Sequence, residues 1–170
     1  MIRKIIVLSL LSCCIAGCKI ARVQFNFSGV NLTAGEKTFS VDFFTNTTPF
    51  APDLGADFTE ALKSYLRSRT PLSEVTNNDG DLRFEGQITG FDFRPMEIQR
   101  DEVAAKNRLT VTIRVKFVNT LKEEDDFDQT FSQYEEIGVD EDYNSVEAEK
   151  LKLITDKIIE DIFNKALVNW

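Results

Sequence analysis

Arg108-Leu109-Thr110-Val111-Thr112-Ile113-Arg114-Val115-Lys116-Phe117-Val118-Asn119 is the stretch whose reading decides the fold. Leu109, Val111, Ile113, Val115 and Phe117 point one way, and Arg108, Thr110, Thr112, Arg114 and Lys116 point the other. Alternation of this kind has the period of a strand, and it makes one face apolar and the other wet. A sheet wetted on one side must bury its other side against something else.

Neighbouring segments supply the rest of the sheet. Leu82 to Phe93 reads as a strand with Leu82, Phe84 and Ile88 on one face. Gly86 and Gly90 within it signal a bulge or a close backbone approach. A loop containing Pro95 follows. Phe127 to Tyr134 reads as the last strand, reached through the acidic turn Glu123-Glu124-Asp125-Asp126. Thr38 to Phe44 alternates Phe39, Val41 and Phe43 as a first strand, and a short strand is possible at Leu72 to Val75. Asn77-Asn78-Asp79-Gly80 is turn chemistry.

Two segments change period. Asp53 to Arg69 repeats Leu54, Phe58, Leu62 and Leu66 every fourth residue, a helix ended by Pro71. The final segment carries Leu151, Ile154, Ile158, Ile162, Ala166 and Trp170 on one stripe. Asn144 or Ser145 is its expected cap, with Glu147 closing a capping box if Asn144 is the cap. The expectation is an α+β two-layer sandwich: a mainly antiparallel sheet of about four strands with two amphipathic helices on one face. The first two long strands, joined through a helix, could be parallel.

The chain begins with Met1-Ile2-Arg3-Lys4, then an apolar run from Ile5 to Ile15, too short to cross a bilayer, which takes ~20 residues. Ile15-Ala16-Gly17-Cys18 closes it, and this order resembles a bacterial lipoprotein signal. The expected organisation is a signal peptide at 1–17, a lipid-anchored tether at 18–37 with Phe25 and Phe27 alternating, and one α+β domain at 38–170. Cys18 is the expected lipidation site. Removing 1–17 takes away Arg3 and Lys4 and no acid, so a net charge of −8 becomes −10. That balance speaks against nucleic acid as a partner and against attraction to anionic membranes, so membrane attachment falls to the lipid.

The sequence has no histidine, and its three cysteines all lie at or before residue 18. A Ser-His-Asp or Cys-His centre is therefore excluded, no histidine can ligate a metal, and no cofactor is called for. The acidic runs read as solvated charge, so the expectation is a protein that is not an enzyme. Against that acidity, Arg108, Arg114 and Lys116 share one strand face, with Arg94, Arg100 and Lys106 in the loop before it. Such a surface suits a phosphorylated or carboxylated ligand. Pairing of these cations with neighbouring acids such as Glu85 is the competing reading. Met96 and Ile98 lie in the same loop and either fold back with Phe91 and Phe93 or touch a partner.

Several stretches together resemble the LptE family of outer-membrane lipopolysaccharide-assembly lipoproteins in its branch outside the enteric bacteria. They are Phe27-Ser28-Gly29, Phe58-Thr59-Glu60-Ala61-Leu62, Gly80-Asp81-Leu82-Arg83-Phe84-Glu85-Gly86 and Asn107-Arg108-Leu109-Thr110-Val111. Val115-Lys116-Phe117-Val118-Asn119 and Asp161-Ile162-Phe163-Asn164-Lys165-Ala166 follow in order. The resemblance implies a lipid-anchored protein on the periplasmic face of the outer membrane. Its implied partners are the LptD-type β-barrel, which it plugs and helps assemble, and lipopolysaccharide. The alternative is a periplasmic binding module or pilotin-like adaptor of another secretion machine.

Overall fold

A computed structural model describes residues 29–96 and 106–168. The described elements are β1 (Thr38–Val41), β2 (Thr45–Asn46), helix α1 (Leu54–Arg69) and β3 (Ser73–Glu74). Then come β4 (Leu82–Pro95), β5 (Lys106–Asn119), β6 (Phe127–Gly138) and helix α2 (Tyr143–Phe163), which runs on into a π-helical turn at Asn164–Val168. Lys106–Asn119 contains the whole of the alternating stretch, and its apolar members from Leu109 to Phe117 are fully buried or nearly so. They pack with Phe58, Leu62 and Leu66 of α1 and Ile154, Ile158 and Ile162 of α2 in one core.

The sheet corrects the expectation in number and direction. It has six strands in the order β3-β1-β4-β5-β6, with β2 also on β4. It is mixed: β1 pairs in parallel with both β3 and β4, β2 is parallel to β4, and β4-β5-β6 is an antiparallel meander. The parallel pairs follow from α1, which returns the chain to the end of the sheet where it started. Strands of two residues, β2 and β3, are too short to show any period.

The first strand also departs from its expected alternation. Phe39 and Val41 are buried, but Phe43 is 64% exposed and Phe44 is fully buried. Val41 sits opposite Phe84 and Thr45 opposite Gln87, so this side advances four residues while β4 advances three. One extra residue exchanges the faces of everything after it. Phe44 turns inward over Gly86, where a Cβ would come within 2.6 Å of its ring and 2.2 Å of the Arg114 carbonyl oxygen. The Phe44 N–H donates to Thr59 Oγ1 of α1 at 3.0 Å, which settles a buried donor left without a sheet partner.

Other ends differ in detail. β4 extends to Pro95, with a register shift between Ile88 and Gly90 where a bulge was expected. β6 runs four residues past Tyr134. The cap of α2 is Asp142, whose side chain accepts from the Asn144 N–H at 3.3 Å; neither Asn144 nor Ser145 is the cap. Glu147 instead accepts from the Tyr143 hydroxyl at 2.7 Å. Asn77 and Asn78 adopt φ of 63° and 56°, the left-handed turn geometry their type tolerates. Trp170 lies outside the described residues.

Candidate functional site

The helices cover one face of the sheet, so the other carries whatever β4, β5 and β6 present at alternate positions. From β5 these are Arg108, Thr110, Thr112, Arg114 and Lys116, as the alternation requires. Cross-strand register then brings each cation to an acid. Asp128 of β6 takes Arg114 in a two-pronged pair, accepting from Nε and Nη2 at 2.7 Å each. Lys116 Nζ donates to Glu85 Oε1 of β4 at 2.5 Å. Glu136 accepts from Lys106 Nζ at 2.8 Å and from Arg108 Nη2 at 3.2 Å. Arg94 donates to Asp92 at 2.8 Å.

The pairing that the sequence offered as a competing reading is therefore present, Glu85 included. Hydrogen bonds from Arg114 hold the Asp128 carboxyl below its usual range, and those from Lys106 and then Arg108 do the same to Glu136. The Glu85 hydrogen bond raises Lys116 above the ordinary lysine value. The face is a checkerboard of fixed charges separated by threonine and serine, with Thr112 and Ser132 hydroxyls 3.0 Å apart. Among the described residues its titratable groups are all at least partly exposed.

Three features set Arg108 apart. Its guanidinium lies over the Tyr134 ring at 3.9 Å, its Nη2 shares Glu136 with Lys106, and its Nε is buried with no hydrogen-bond partner. Arg94 is 76% exposed in its side chain and is the most accessible cation of the set. Arg94 and Lys106, expected in the loop, are strand residues at the open ends of β4 and β5. Met96 follows them half-buried, its N–H donating to the Lys106 carbonyl at 2.8 Å. Ile98, Arg100 and Cys18 lie outside the described residues.

Sequence reading missed Asp92, Asp128, Tyr134 and Glu136, which make this face what it is. The signal was available in β6, where Asp128, Thr130, Ser132, Tyr134 and Glu136 alternate with Phe127, Phe131 and Ile137. Phe43 was missed too, because its inward placement was taken from the unshifted alternation. It stands exposed on a recess of about 350 Å³ that also holds Asp42, Gln87, Arg114 and Lys116. On the opposite side, a groove of about 550 Å³ separates the N-terminal halves of α1 and α2. Asp53, Asp57 and Glu147 line it, which disfavours an anionic ligand there.

A profile of the LptE family, described as lipopolysaccharide-assembly, matches residues 36–166. The chain belongs to the LptE family. That match runs from just before β1 into the π-helical turn that follows α2, so it takes in every strand and both helices described. No curated protein matches by sequence. Among solved structures the fold is similar to a minor lipoprotein of Acinetobacter baumannii at 13% identity and TM-score 0.50, covering 76% of this chain and 91% of that one. A hypothetical protein of Chlamydia trachomatis is similar at 9% identity and TM-score 0.52, covering 77% and 98%. The rare lipoprotein B of Shewanella oneidensis aligns at 11% identity and TM-score 0.47, covering 76% and 90%. The LptE family is one of assembly lipoproteins of the outer membrane, not of enzymes.

Proposed function

We propose that this protein is a lipid-anchored assembly factor that seats within an LptD-type β-barrel of the outer membrane, plugs it, and contacts lipopolysaccharide. The family match over residues 36–166 carries this reading. The outward sheet face supports it. Barrel lumens are polar, so a polar surface of paired charges suits a plug for one. The cations of that face, Arg94, Arg108, Arg114 and Lys116 with Lys106 at its end, are groups suited to phosphate or carboxylate. Cys18 is the acylated residue, holding the domain on the periplasmic side of the membrane.

Detergent extraction and purification of the tagged full chain tests the reading. One large β-barrel protein is expected to accompany it in fixed proportion. A domain that elutes without a barrel overturns the proposal in favour of a free-standing binding module or pilotin-like adaptor. Cys18→Ser is expected to stop incorporation of labelled fatty acid; undiminished labelling ends the anchor assignment.

A further inference from the structure

We infer that the groove between α1 and α2 is a docking surface for a cationic, amphipathic helical segment of another protein. The two helices meet at their C-terminal ends, where the Tyr65 and Phe163 rings pack edge to face at 5.2 Å. Towards their N-terminal ends the groove of about 550 Å³ opens between them. The buried residues of α2 begin only at Ile154, and Tyr143 to Leu153 are half-buried or exposed. Leu54 and Ala61 of α1 and Ala148 and Leu151 of α2 give the groove its apolar lining. Alanine on both walls leaves room for a partner's larger side chain. From Asn144 to Asp156 the α2 wall is ~18 Å long, about three helical turns. A helix laid in a groove of that length anchors an apolar stripe at i, i+3 or i+4, and i+7.

Charge decides which kind of helix fits. Asp53 and Asp57 stand on one wall, and Glu147 and Asp156 on the other. Lys152 lies among them and is taken by Asp156 at 2.6 Å. Glu147 accepts from the Tyr143 hydroxyl, a neutral donor. Asp53 occupies the N-cap position of α1, yet its side chain makes no capping hydrogen bond. Among the described residues, then, Asp53, Asp57 and Glu147 have no cation partner. The wet face of the sheet is the opposite case, since Glu85, Asp128 and Glu136 each hold a cation. Uncompensated carboxylates beside an apolar floor complement lysine or arginine beside an apolar stripe. They repel the phosphates of lipids. A second copy is a poor match as well, because the chain has 28 acidic residues against 20 basic ones.

One end of the groove is firmly built. Asn46 Nδ2 donates to the Phe50 and Ala51 carbonyls at 2.9 and 2.8 Å, and its Oδ1 accepts from the Thr48 N–H at 2.9 Å. Held in this way, Ala51 of the lining takes a φ of 46°, which is costly for a residue with a Cβ. Phe50 beside it stacks on Phe91 at 5.4 Å and stays 55% exposed. Backbone strain that displays an aromatic ring next to a groove accords with a binding surface. The groove lies on the helix side of the molecule, away from the paired charges of the sheet, so both surfaces can be engaged at once.

The test uses the full mature chain, 18–170, with Cys18→Ser. The probe is a fluorescent synthetic peptide of about twelve residues, with leucines on one helical stripe and lysines on its flanks. A peptide of the same composition in shuffled order, and one with glutamate in place of lysine, are the controls. Anisotropy is expected to show binding of the amphipathic cationic peptide that weakens with salt, about tenfold weaker binding of the shuffled one and none of the acidic one. Asp53→Asn, Asp57→Asn and Glu147→Gln together should weaken binding about tenfold. Removing three exposed acids elsewhere, by Asp79→Asn, Glu123→Gln and Glu160→Gln, changes net charge equally and should leave it close to that of the parent. Ala148→Trp fills the floor from an exposed helix position, keeps every charge, and should also weaken binding about tenfold. Equal affinity for amphipathic and shuffled peptides, equal losses in the two triple variants, or no effect of Ala148→Trp overturns the inference. Binding of anionic lipid vesicles, or self-association, that Ala148→Trp abolishes overturns it in favour of that occupant.

Discussion

The two faces of β5 are built from the same fourteen residues and solve different problems. Leu109, Val111, Ile113, Val115 and Phe117 are at most 1% exposed and lie under two helices. Arg114 and Lys116, between them, are 55% and 53% exposed in their side chains and are held by ion pairs across the strands. Burial of apolar area contributes on the order of 25 cal/mol per Å². Exposed ion pairs contribute little, because water screens them and holding two long side chains costs entropy. The buried face therefore holds the fold, and the wet face is free to carry recognition. Substitutions on the two faces should separate stability from partner binding.

The largest loss is expected on the buried side. Ile158→Ala removes a fully buried side chain from the α2 stripe and should cost ~2–5 kcal/mol in a denaturant titration. A change below ~0.5 kcal/mol would mean that α2 does not secure the sheet. Thr59→Val comes next. It keeps the shape but leaves the Phe44 N–H buried without its acceptor, at ~1–3 kcal/mol. Stability equal to the parent would show that the chain between β1 and β2 relaxes to find another acceptor.

Asp81 joins the two regimes, for it is partly exposed yet ties β1's lead-in to β4. Its Oδ2 accepts from the Lys37 N–H, the Thr38 N–H and the Thr38 hydroxyl at 2.8–2.9 Å. The Lys37 backbone bond, then the Thr38 hydroxyl, lower its carboxyl below the ordinary 3.8. The stabilisation from a lowered carboxyl is complete above its unfolded value and fades as pH falls through the lower folded one. Asp81→Asn should therefore destabilise at neutral pH, by less than Thr59→Val, and narrow its gap to the parent in acid below the ordinary carboxylate range. A gap that does not change with pH would remove charge from the explanation.

How much of this was legible depends on range. β5 could be read because ten alternating residues, Arg108 to Phe117, outweigh any local accident, and α1 because Leu54, Phe58, Leu62 and Leu66 repeat every fourth residue. The exchange of Phe43 for Phe44 was not legible, since it arises from parallel pairing with β4 across a helix. The α2 cap was misplaced because Asp142, Asn144 and Ser145 are all competent caps, and backbone geometry chooses among them. Arg108, Arg114 and Lys116 of the wet face were found from periodicity alone. Their partners were not, because pairing Arg114 with Asp128 or Lys116 with Glu85 requires the register between strands.

The smallest effect on stability belongs to the wet face, and it discriminates best between packing and recognition. Lys116 and Glu85 are cross-strand neighbours, and Lys116 also feels Asp128 and Asp126. Lys116→Glu alone places a fourth acid among these, so a modest loss of stability from like-charge contact is expected. Combining it with Glu85→Lys restores an opposite pair on the same two positions without changing net charge. The denaturant midpoint of the double variant should return close to that of the parent. Recognition should behave differently. If an anionic partner reads the position of the cation, the double variant stays weakened in lipopolysaccharide binding or barrel co-purification even though its fold has recovered. Recovery of both together would assign the pair to the sheet alone. The exposed cation Arg94 and the stacked Arg108 would then be the next residues to reverse.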